Sequence, residues 1–534
     1  MTSFDYDAIV VGAGFAGIYM CKKLIDQGLT VKVIEAAPDV GGTWYWNRYP
    51  GAMSDTRSIL YRYSWDLEDL REYPWGREYL KGPEVLTYLQ HVVKRHNLRQ
   101  YMVFNTAMEA TTWNGDQSTW TVSLSTGEKL KARYVVSAVG ILSKQNYPDI
   151  AGLNSFKGET YHTSRWPATY DFQNKRVGVI GNGSTGVQVI TALADHVKHL
   201  TSFQRHPQYV VPAGDKEISP ETRREIDDNW DSIWSKAKNS TFAFGFKEST
   251  VPTFSVSDEE REQIFEKAWQ YGSGFYFMFG TFCDISYNED ANRAAQDFIR
   301  GKIAQKVKDP VKANKLMPRD WFARRPLCDT GYYEKFNKPN VDVVDIKSNP
   351  ISEITPTGIR TQDGTEFELD ALIFATGFDA VDGSYKKLSI VGANQKTLGD
   401  AWKEAPESYL GISVPEFPNF FMVLGPNSPF TNIPPTIETQ VEFISDMIEK
   451  ANQSGTIKKN QAIVEAEPTA TKDWCKQCDD LSAESLFRKT DSWIFGANVA
   501  GKKTSVLFYF GGLANYRKAL QELVENGNRG FKPF

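Results

Sequence analysis

The chain has 534 residues, of which 41% are hydrophobic and 24% charged, and its formal net charge is −5. This length predicts about three domains, and the slightly acidic balance gives no general attraction to nucleic acid or to anionic membrane surfaces. No apolar run reaches the ~18 residues that suggest a membrane span, and the acidic start runs directly into a strand and leaves no room for a signal peptide, so we expect a cytoplasmic protein.

The first predicted unit is a strand, a glycine-rich turn, a helix and a second strand. Residues 8–11 are an apolar run, residues 18–27 have the spacing of an amphipathic helix, and residues 30–34 form the next strand. The second strand ends in Glu35, at about the 20-residue spacing at which an acid accepts hydrogen bonds from an adenosine ribose. A carboxylate there repels a 2′-phosphate, so we predict FAD or NAD as the ligand. The glycines of the turn have GxGxxG spacing and are Gly12, Gly14 and Gly17.

A second unit of the same kind follows with the opposite terminal charge. Strand 176–180 precedes the turn, residues 187–194 are helical in pattern, and strand 200–204 ends in Arg205. A guanidinium suits a ribose phosphate through paired hydrogen bonds, so we predict NADP here. The residues of the turn that would bind it are Gly181, Gly183, Ser184, Thr185 and Gly186. One GxGxxG match alone would equally fit an ordinary loop, but both matches lie between a strand and a helix.

A flavin and a nicotinamide in one chain indicate hydride transfer into the flavin. A disulfide reductase would need a cysteine pair soon after the first unit, and residues 41–63 contain none. The CxxC spacing of Cys475 and Cys478 lies in a polar, helix-like stretch without a second pair or a histidine pair nearby. We therefore expect ordinary helix cysteines, no disulfide framework and no metal site.

The predicted fold is α/β, with two Rossmann-like dinucleotide-binding domains, for FAD and NADP, and a helical insertion. Residues 143–167 are rich in turn residues and resemble a linker. Strands at 341–345 and 358–361 could complete the second sheet, and strand 420–424 and a helix from about 435 to 451 would finish the first domain. The expected segments are 1–140 for the first part of the FAD domain, 141–214 for linker and first part of the NADP domain, 215–325 for the insertion, 326–370 for the second part of the NADP domain and 371–534 for the second part of the FAD domain.

Residues 156–167 between the two units read FKGETYHTSRWP. This segment matches FxGxxxHxxxW(P/D), the fingerprint of type I Baeyer–Villiger monooxygenases, and a second family pattern runs from Gly41 to Asp55. The chain therefore resembles this family of class B flavoprotein monooxygenases over nearly its whole length, and the cyclohexanone monooxygenase group most. Trp166 and Pro167 favour the Baeyer–Villiger family over flavin-containing monooxygenases that act on nitrogen and sulfur. The resemblance implies that His162 belongs to a domain-coupling linker and is not a base.

The resemblance implies a reaction that uses NADPH and dioxygen. NADPH reduces FAD, dioxygen adds to give a peroxyflavin, and this attacks a ketone carbonyl to form a tetrahedral (Criegee) intermediate and then an ester or lactone. The expected partners are thus a small ketone and dioxygen, with no protein partner evident, and we also expect sulfoxidation of thioethers. The alternatives are a nitrogen- or sulfur-oxygenating flavin monooxygenase and a non-oxygenating NADPH–flavin reductase.

The resemblance also assigns site residues. Oxygen insertion needs a fixed cation that stabilises a peroxide anion and a tetrahedral oxyanion, and one well-placed donor typically supplies about 3–4 kcal/mol. Arg325 stands at the position of the family's catalytic arginine, with Asp55 as the carboxylate that orients it, although the residue alone would read as a surface arginine paired with an acid. Arg324 replaces the lysine that contacts the NADP ribose phosphate, and Trp493 matches a tryptophan that closes over the nicotinamide ribose. Thr43 and Trp44 fall in the cofactor-binding pattern, and the expected substrate pocket contains Leu142, Phe430, Thr431, Ile433 and Tyr509.

Overall fold

A computed structural model of the chain describes residues 4–453 and 463–533. Short strands and helices alternate through most of it. The strands are β1 (Tyr6–Val11), β2 (Val31–Ile34), β3 (Met102–Val103), β4 (Met108–Asn114), β5 (Thr119–Leu124), β6 (Lys129–Ser137), β7 (Lys144–Gln145), β8 (Glu159–His162), β9 (Arg176–Ile180), β10 (His199–Gln204), β11 (Val210–Pro212), β12 (Leu327–Asp329), β13 (Val341–Asp345), β14 (Ile351–Thr355), β15 (Gly358–Thr361), β16 (Glu366–Glu368), β17 (Ala371–Phe374), β18 (Phe378–Asp379), β19 (Ser389–Val391), β20 (Phe420–Met422), β21 (Ser428–Pro429) and β22 (Phe508–Tyr509). The helices are α1 (Phe15–Asp26), α2 (Thr43–Trp46), α3 (Leu67–Glu72), α4 (Gly82–Arg95), α5 (Ser184–Leu193), α6 (Pro220–Asp227), α7 (Trp230–Lys238), α8 (Asp258–Tyr271), α9 (Gly274–Phe279), α10 (Glu289–Lys306), α11 (Pro310–Leu316), α12 (Tyr332–Lys335), α13 (Leu398–Ala401), α14 (Ile433–Gln453), α15 (Pro468–Ala483) and α16 (Leu513–Glu525).

The first sheet has parallel strands in its centre. Strand β1 lies between β2 and β6, both parallel to it, and β20 pairs with the last part of β6. Along β1, Ala8 and Val10 point into one apolar cluster, whereas Ile9 and Val11 point into another on the opposite face. Both faces are therefore covered, which explains why the strand sequence is apolar at every position. The predicted return of the chain to this sheet through residues 420–424 is confirmed.

The second sheet is parallel throughout and has the order β13-β10-β9-β17-β8. Val177 and Val179 face one apolar cluster, and Ile180 and Phe203 face the other. The predicted contribution of residues 341–345 to this sheet is confirmed. Together the two sheets confirm the predicted class, α/β with two Rossmann-like domains.

Four details differ from the sequence-based expectation. Residues 371–374, expected in the second part of the FAD domain, form β17 of the second sheet, between β9 and β8. The segment 143–167 is not only a linker, because its residues 159–162 form β8 at the edge of the second sheet. Residues 358–361 form β15, which pairs with β14 and β16 in a separate antiparallel sheet and does not extend the second one. The helix after each glycine turn begins directly after the middle glycine and not after the third, because that middle residue has the extended backbone of an N-cap.

A short two-stranded ribbon connects the two sheets. In it β18, which follows β17, pairs antiparallel with β7, which follows β6. Lys502 is only 8% exposed and donates to the buried carboxylates of Asp379, at 2.7 Å, and of Asp382. Asn498 donates to the Phe378 carbonyl oxygen at 2.8 Å. Asn498 and Lys502 therefore fix the segment that follows Trp493 to this ribbon.

The expected helical insertion is confirmed between residues 215 and 325, where α6 to α11 lie. Residues 220–238 form two helices, α6 and α7, which are separated at Asp228 and Asn229. All five cysteines are free, and Cys478 is buried in α15, as expected of ordinary helix cysteines. In residues 4–453 and 463–533, no helix has the length and apolar character needed to cross a membrane, and no cluster of potential metal ligands occurs.

Candidate active site

The first glycine turn is packed so closely that only glycine fits at two of its positions. Gly12 has a φ of +106°, and a Cβ atom there would lie 2.4 Å from the Ala138 carbonyl oxygen. A Cβ atom on Gly17 would lie 1.7 Å from the Gly12 oxygen. Gly14 directly precedes α1, and a Cβ atom at this position would lie nearest to the backbone of Gly42. Such a turn presents the free amides at the start of a helix to a phosphate group.

The second turn repeats this geometry. Gly181 has a φ of +100° and would place a Cβ atom 2.5 Å from the Ala375 oxygen, and a Cβ atom on Gly186 would lie 2.2 Å from the Gly181 oxygen. Nothing lies within 4 Å of the place where a Cβ atom of Gly183 would stand. That open position directly before α5, which starts with residues 184–185, leaves space for a pyrophosphate to approach the backbone.

Glu35 and Arg205 stand directly after β2 and β10, in equivalent positions of the two units. The Glu35 carboxylate is 5% exposed and accepts hydrogen bonds from the amides of Ala13, at 2.6 Å, and Ala37, at 2.7 Å. Burial raises the pKa of Glu35, and the backbone amides counteract part of this effect. Arg205 is exposed, and its guanidinium makes no hydrogen bond or ion pair within residues 4–453 and 463–533. It is therefore available to an incoming anion.

Arg325 and Asp55, which lie 270 residues apart, form a bidentate ion pair. Nε of Arg325 donates to Oδ2 at 3.0 Å, and Nη2 donates to Oδ1 at 2.7 Å and to Oδ2 at 2.8 Å. Burial acts to lower the pKa of Arg325, but the Asp55 charge outweighs it and the pKa is raised. Nη1 makes no hydrogen bond in the described part of the chain. One edge of a permanently charged guanidinium thus remains free for a ligand oxygen.

Aromatic side chains surround this pair. The Phe275 ring centroid lies 5.1 Å from Cζ of Arg325, within the range of a cation–π contact. Tyr61 accepts a hydrogen bond from the Trp44 indole at 3.2 Å, and both Tyr61 and Tyr49 are close enough to Asp55 and Arg325 to feel their charges. Burial raises the pKa of Tyr49 to about 12, so its hydroxyl stays protonated at neutral pH. The pair is consequently shielded from bulk water on these sides.

The segment that carries Asp55 packs directly against α5 of the second unit. The Tyr49 hydroxyl donates to Oε1 of Gln188 at 2.8 Å, and Nε2 of Gln188 donates to the Met53 carbonyl oxygen at 3.2 Å. Gly51 has a φ of +81°, and a Cβ atom there would lie 2.6 Å from the Gln188 carbonyl oxygen. This close approach sets the position of Asp55 relative to the second glycine turn.

Arg324 points away from Arg325. Its Nη2 donates to Asp320 at 2.7 Å, and its Nε donates to the Asp491 carbonyl oxygen at 3.0 Å. Trp493, two residues further along the chain, is half-buried and packs edge-on against Phe508, with ring centroids 5.8 Å apart. Arg324 therefore links the residues before Arg325 to the segment that carries Trp493.

The residues expected to line a substrate pocket do not all lie together. Phe430 and the partly buried Leu142 belong to the same apolar cluster as Phe275 and Trp493. The Thr431 hydroxyl is 2.5 Å from that of Thr436, and Ile433 starts α14 and packs on the core of the first domain. The Tyr509 ring stacks on Trp474 of α15 at 4.6 Å, in that same core, although the Tyr509 carbonyl oxygen accepts a hydrogen bond from the Phe430 amide at 3.0 Å.

The fingerprint segment connects the two sheets. His162 ends β8, is 3% exposed and has Nδ1 2.9 Å from the Ser164 hydroxyl oxygen. Its Nε2 is buried without a partner in the described residues, and burial lowers the pKa of His162 to about 4. The Arg165 guanidinium stacks on Trp46 of the first domain at 4.1 Å. These contacts are those of a neutral structural histidine at a domain junction.

Comparison with known proteins identifies the family. Residues 9–267 match the family model described as pyridine nucleotide-disulphide oxidoreductase. A cyclohexanone 1,2-monooxygenase of Acinetobacter sp is 52% identical over 528 residues, covering 99% of this chain and 96% of the relative. This chain belongs to the flavin-dependent Baeyer–Villiger monooxygenases. The crystal structure of cyclohexanone monooxygenase from Rhodococcus sp. Phi1 bound to NADP+ has a TM-score of 0.97 at 53% identity, covering 99% of this chain and 98% of that chain.

Another relative is named for oxygenation at nitrogen and not for ketone oxidation. A phenazine N-monooxygenase of Lysobacter antibioticus is 49% identical over 527 residues, covering 98% of this chain and 96% of the relative. The cofactors of this Baeyer–Villiger monooxygenase are FAD and NADP(H), as predicted from the two glycine turns. Both turns fit these groups, because each places a glycine directly before a helix whose free N-terminal amides can bind a phosphate.

Sequence reasoning missed part of the surroundings of Arg325. The sequence analysis assigns no role to Gln188, which lies in an amphipathic helix. A polar residue within the apolar run 187–190 nevertheless indicates a buried hydrogen bond. Phe275 packs in a core at 2% exposure, and its contact with Arg325 has no signal in the sequence. That contact depends on how α9 packs against β11 and β12, the strand that follows Arg325.

The burial of His162 predicts a pH-dependent stability. Its folded pKa of about 4 lies below the ordinary value near 6.5, so its neutral form stabilises the fold above about pH 6.5, and this stabilisation is lost as the pH falls towards 4. The loss amounts to about 3 kcal/mol. The apparent midpoint of thermal unfolding should therefore fall less between pH 7.5 and 5 in His162→Gln than in the parent, whereas the exposed-site control His196→Gln should behave as the parent. Equal pH dependence in all three proteins would contradict this account.

Proposed function

We propose that this Baeyer–Villiger monooxygenase converts cyclic ketones of the size of cyclohexanone into lactones, with Arg325 as the catalytic cation. The observation that carries the proposal is the ion pair, in which Asp55 occupies Nε and Nη2 of Arg325 and leaves Nη1 free. A cation fixed in this way is pre-organised for an oxyanion and needs no rearrangement when charge develops. The cyclohexanone monooxygenase relative, similar over almost the entire chain, supports the substrate class.

Each residue then has a defined role. When bound, FAD and NADPH supply the electrons that activate dioxygen. Arg325 binds the ketone oxygen and stabilises the negative charge that forms on it as the carbonyl carbon becomes tetrahedral. Asp55 keeps the guanidinium in one orientation, and its removal would leave a partly buried cation unpaired. Phe275 and Tyr61 cover the pair, which lowers the local dielectric and strengthens the attraction between cation and oxyanion.

The binding of the two cofactors follows from the two turns. Segments 1–140 and 371–534, without strand β17 that lies in the second sheet, would form the FAD-binding domain, with Gly12, Gly14, Gly17, Thr43 and Trp44 around the dinucleotide and Glu35 on its adenosine ribose. Segments 141–214 and 326–370, together with β17, would form the NADP-binding domain, and 215–325 the insertion. Arg205 and Arg324 would contact the ribose 2′-phosphate, and Trp493 would cover the nicotinamide ribose.

Oxygenation of nitrogen or sulfur is the second candidate, and the phenazine N-monooxygenase relative favours it. Attack on an amine or a thioether develops no oxyanion on the substrate, so it has no need for Arg325. A bidentate ion pair with one free guanidinium edge, in a partly dry site, favours the ketone. We expect thioether oxidation as a side reaction at the same site.

The role of Arg325 gives a direct prediction. Arg325→Ala should bind FAD and oxidise NADPH, but its rate of lactone formation from cyclohexanone should fall by roughly 10²- to 10³-fold, the usual cost of losing one oxyanion donor. Product yield and hydrogen peroxide are measured per NADPH consumed. The control Arg293→Ala removes an exposed arginine on α10 and should keep the parent yield. Parent-like lactone formation by Arg325→Ala would refute the assignment.

The role of Arg205 gives a second prediction. Arg205→Ala should raise the KM for NADPH by roughly 10- to 100-fold, because hydrogen bonds to a charged phosphate are lost, and should leave the KM for NADH nearly unchanged. Initial rates with both coenzymes decide this, again with Arg293→Ala as control. Equal changes for NADPH and NADH would show that Arg205 does not bind the phosphate.

A further inference from the structure

We propose that His206 is a further recognition residue for the 2′-phosphate of NADPH, and that it binds the phosphate only as an imidazolium held in place by Asp320. This inference rests on the proposed position of the phosphate at Arg205. It adds a residue with a different chemical requirement, because an arginine is always charged and an imidazole is not.

The backbone places His206 at the second glycine turn. It directly follows Arg205 at the carboxyl end of β10, the edge of a parallel sheet at which dinucleotides bind. Nδ2 of Asn182, a residue of the turn, donates to the His206 carbonyl oxygen at 2.9 Å and to Oε1 of Gln204 at 2.9 Å. The residues after β10 are thus tied to the loop that receives the pyrophosphate.

One carboxylate oxygen holds both His206 and Arg324. Oδ2 of Asp320 lies 2.7 Å from Nδ1 of His206 and 2.7 Å from Nη2 of Arg324. The hydrogen bond with His206, followed by Arg324, holds the pKa of Asp320 well below its usual range, so this carboxyl group is ionised at neutral pH. Asp320 therefore fixes an imidazole and a guanidinium side by side, next to Arg205.

This contact decides which nitrogen of His206 carries a proton. An ionised carboxylate only accepts hydrogen bonds, so the Nδ1 that contacts Asp320 is the protonated nitrogen. Nε2 of the neutral ring is then an acceptor, which cannot bind a phosphate oxygen. Nε2 makes no hydrogen bond in the described part of the chain. It becomes a donor only when the ring takes up a second proton.

The charges around the ring favour phosphate binding in that form. Arg205 and Arg324 each contribute one positive charge and Asp320 one negative charge, so the cluster has a net charge of +1 with neutral His206 and +2 with the imidazolium. From the neighbouring elements, the Lys315 ammonium of α11 is directed to the Val343 carbonyl oxygen, and Asp345 at the end of β13 accepts from Lys347 and Ser348. Neither is bonded to the ring.

Proton uptake on coenzyme binding tests the inference. Calorimetric titration of the FAD-loaded enzyme with NADP+ at pH 7.5, in two buffers that differ in ionisation enthalpy, counts the protons bound. The parent should take up more protons than His206→Gln, with a difference of up to about one proton. Titration with NAD+, which lacks the 2′-phosphate, should give no difference between the two proteins. His206→Gln should also bind NADP+ roughly 10-fold more weakly than the parent, as expected when a charge-assisted hydrogen bond is lost.

Equal proton uptake by the parent and His206→Gln, with FAD bound to both, would overturn the inference. If Arg205→Ala nevertheless weakens NADP+ but not NAD+, the proposed phosphate site stands and only the role of His206 is wrong. If neither variant discriminates between the two coenzymes, the position of the phosphate is wrong and the inference fails with it.

Discussion

The ion pair between Asp55 and Arg325 is the interaction on which the rest of the site depends. The carboxylate comes from the first domain and the guanidinium from the end of the helical insertion, so the pair forms only when the two domains and the insertion are assembled. The pair also solves an electrostatic problem. A lone guanidinium would be costly in a partly dry site, and a fully bonded one could not act on a substrate. Two contacts to one carboxylate leave the cation stable and one edge of it free.

The pairing requires close contact between the two dinucleotide-binding units. Gly51 allows the segment before Asp55 to touch the backbone of α5, and Tyr49 and Gln188 fix it there through a hydrogen bond. Helix α5 in turn begins at the second glycine turn. The segment that carries Asp55 and the second glycine turn are therefore both in contact with α5, so this helix would fix a ketone at Arg325 relative to a coenzyme at the turn.

Local patterns in the sequence predicted the parts of the molecule that depend on local geometry. At positions 12, 17, 181 and 186 a Cβ atom would collide with a nearby carbonyl group, so only glycine fits. The requirement for glycine produces the GxGxxG spacing, which is recognisable in the sequence. The pairing of Asp55 with Arg325 could be expected only from the resemblance, since no spacing relates residues 270 positions apart. The stacking of Tyr509 on Trp474 and the pairing of β8 in the second sheet depend on tertiary packing, so local sequence patterns could predict neither of them.

The most direct test of the account is the fate of labelled dioxygen during ketone oxidation. The purified enzyme, with FAD, NADPH and ¹⁸O₂, should convert cyclohexanone into a lactone that contains one ¹⁸O atom, with about one lactone formed per NADPH consumed. Consumption of NADPH with release of peroxide and no labelled lactone from any of a panel of cyclic ketones, combined with labelled N-oxide or sulfoxide products, would contradict the central claim that Arg325 and Asp55 serve oxygen insertion beside a carbonyl group.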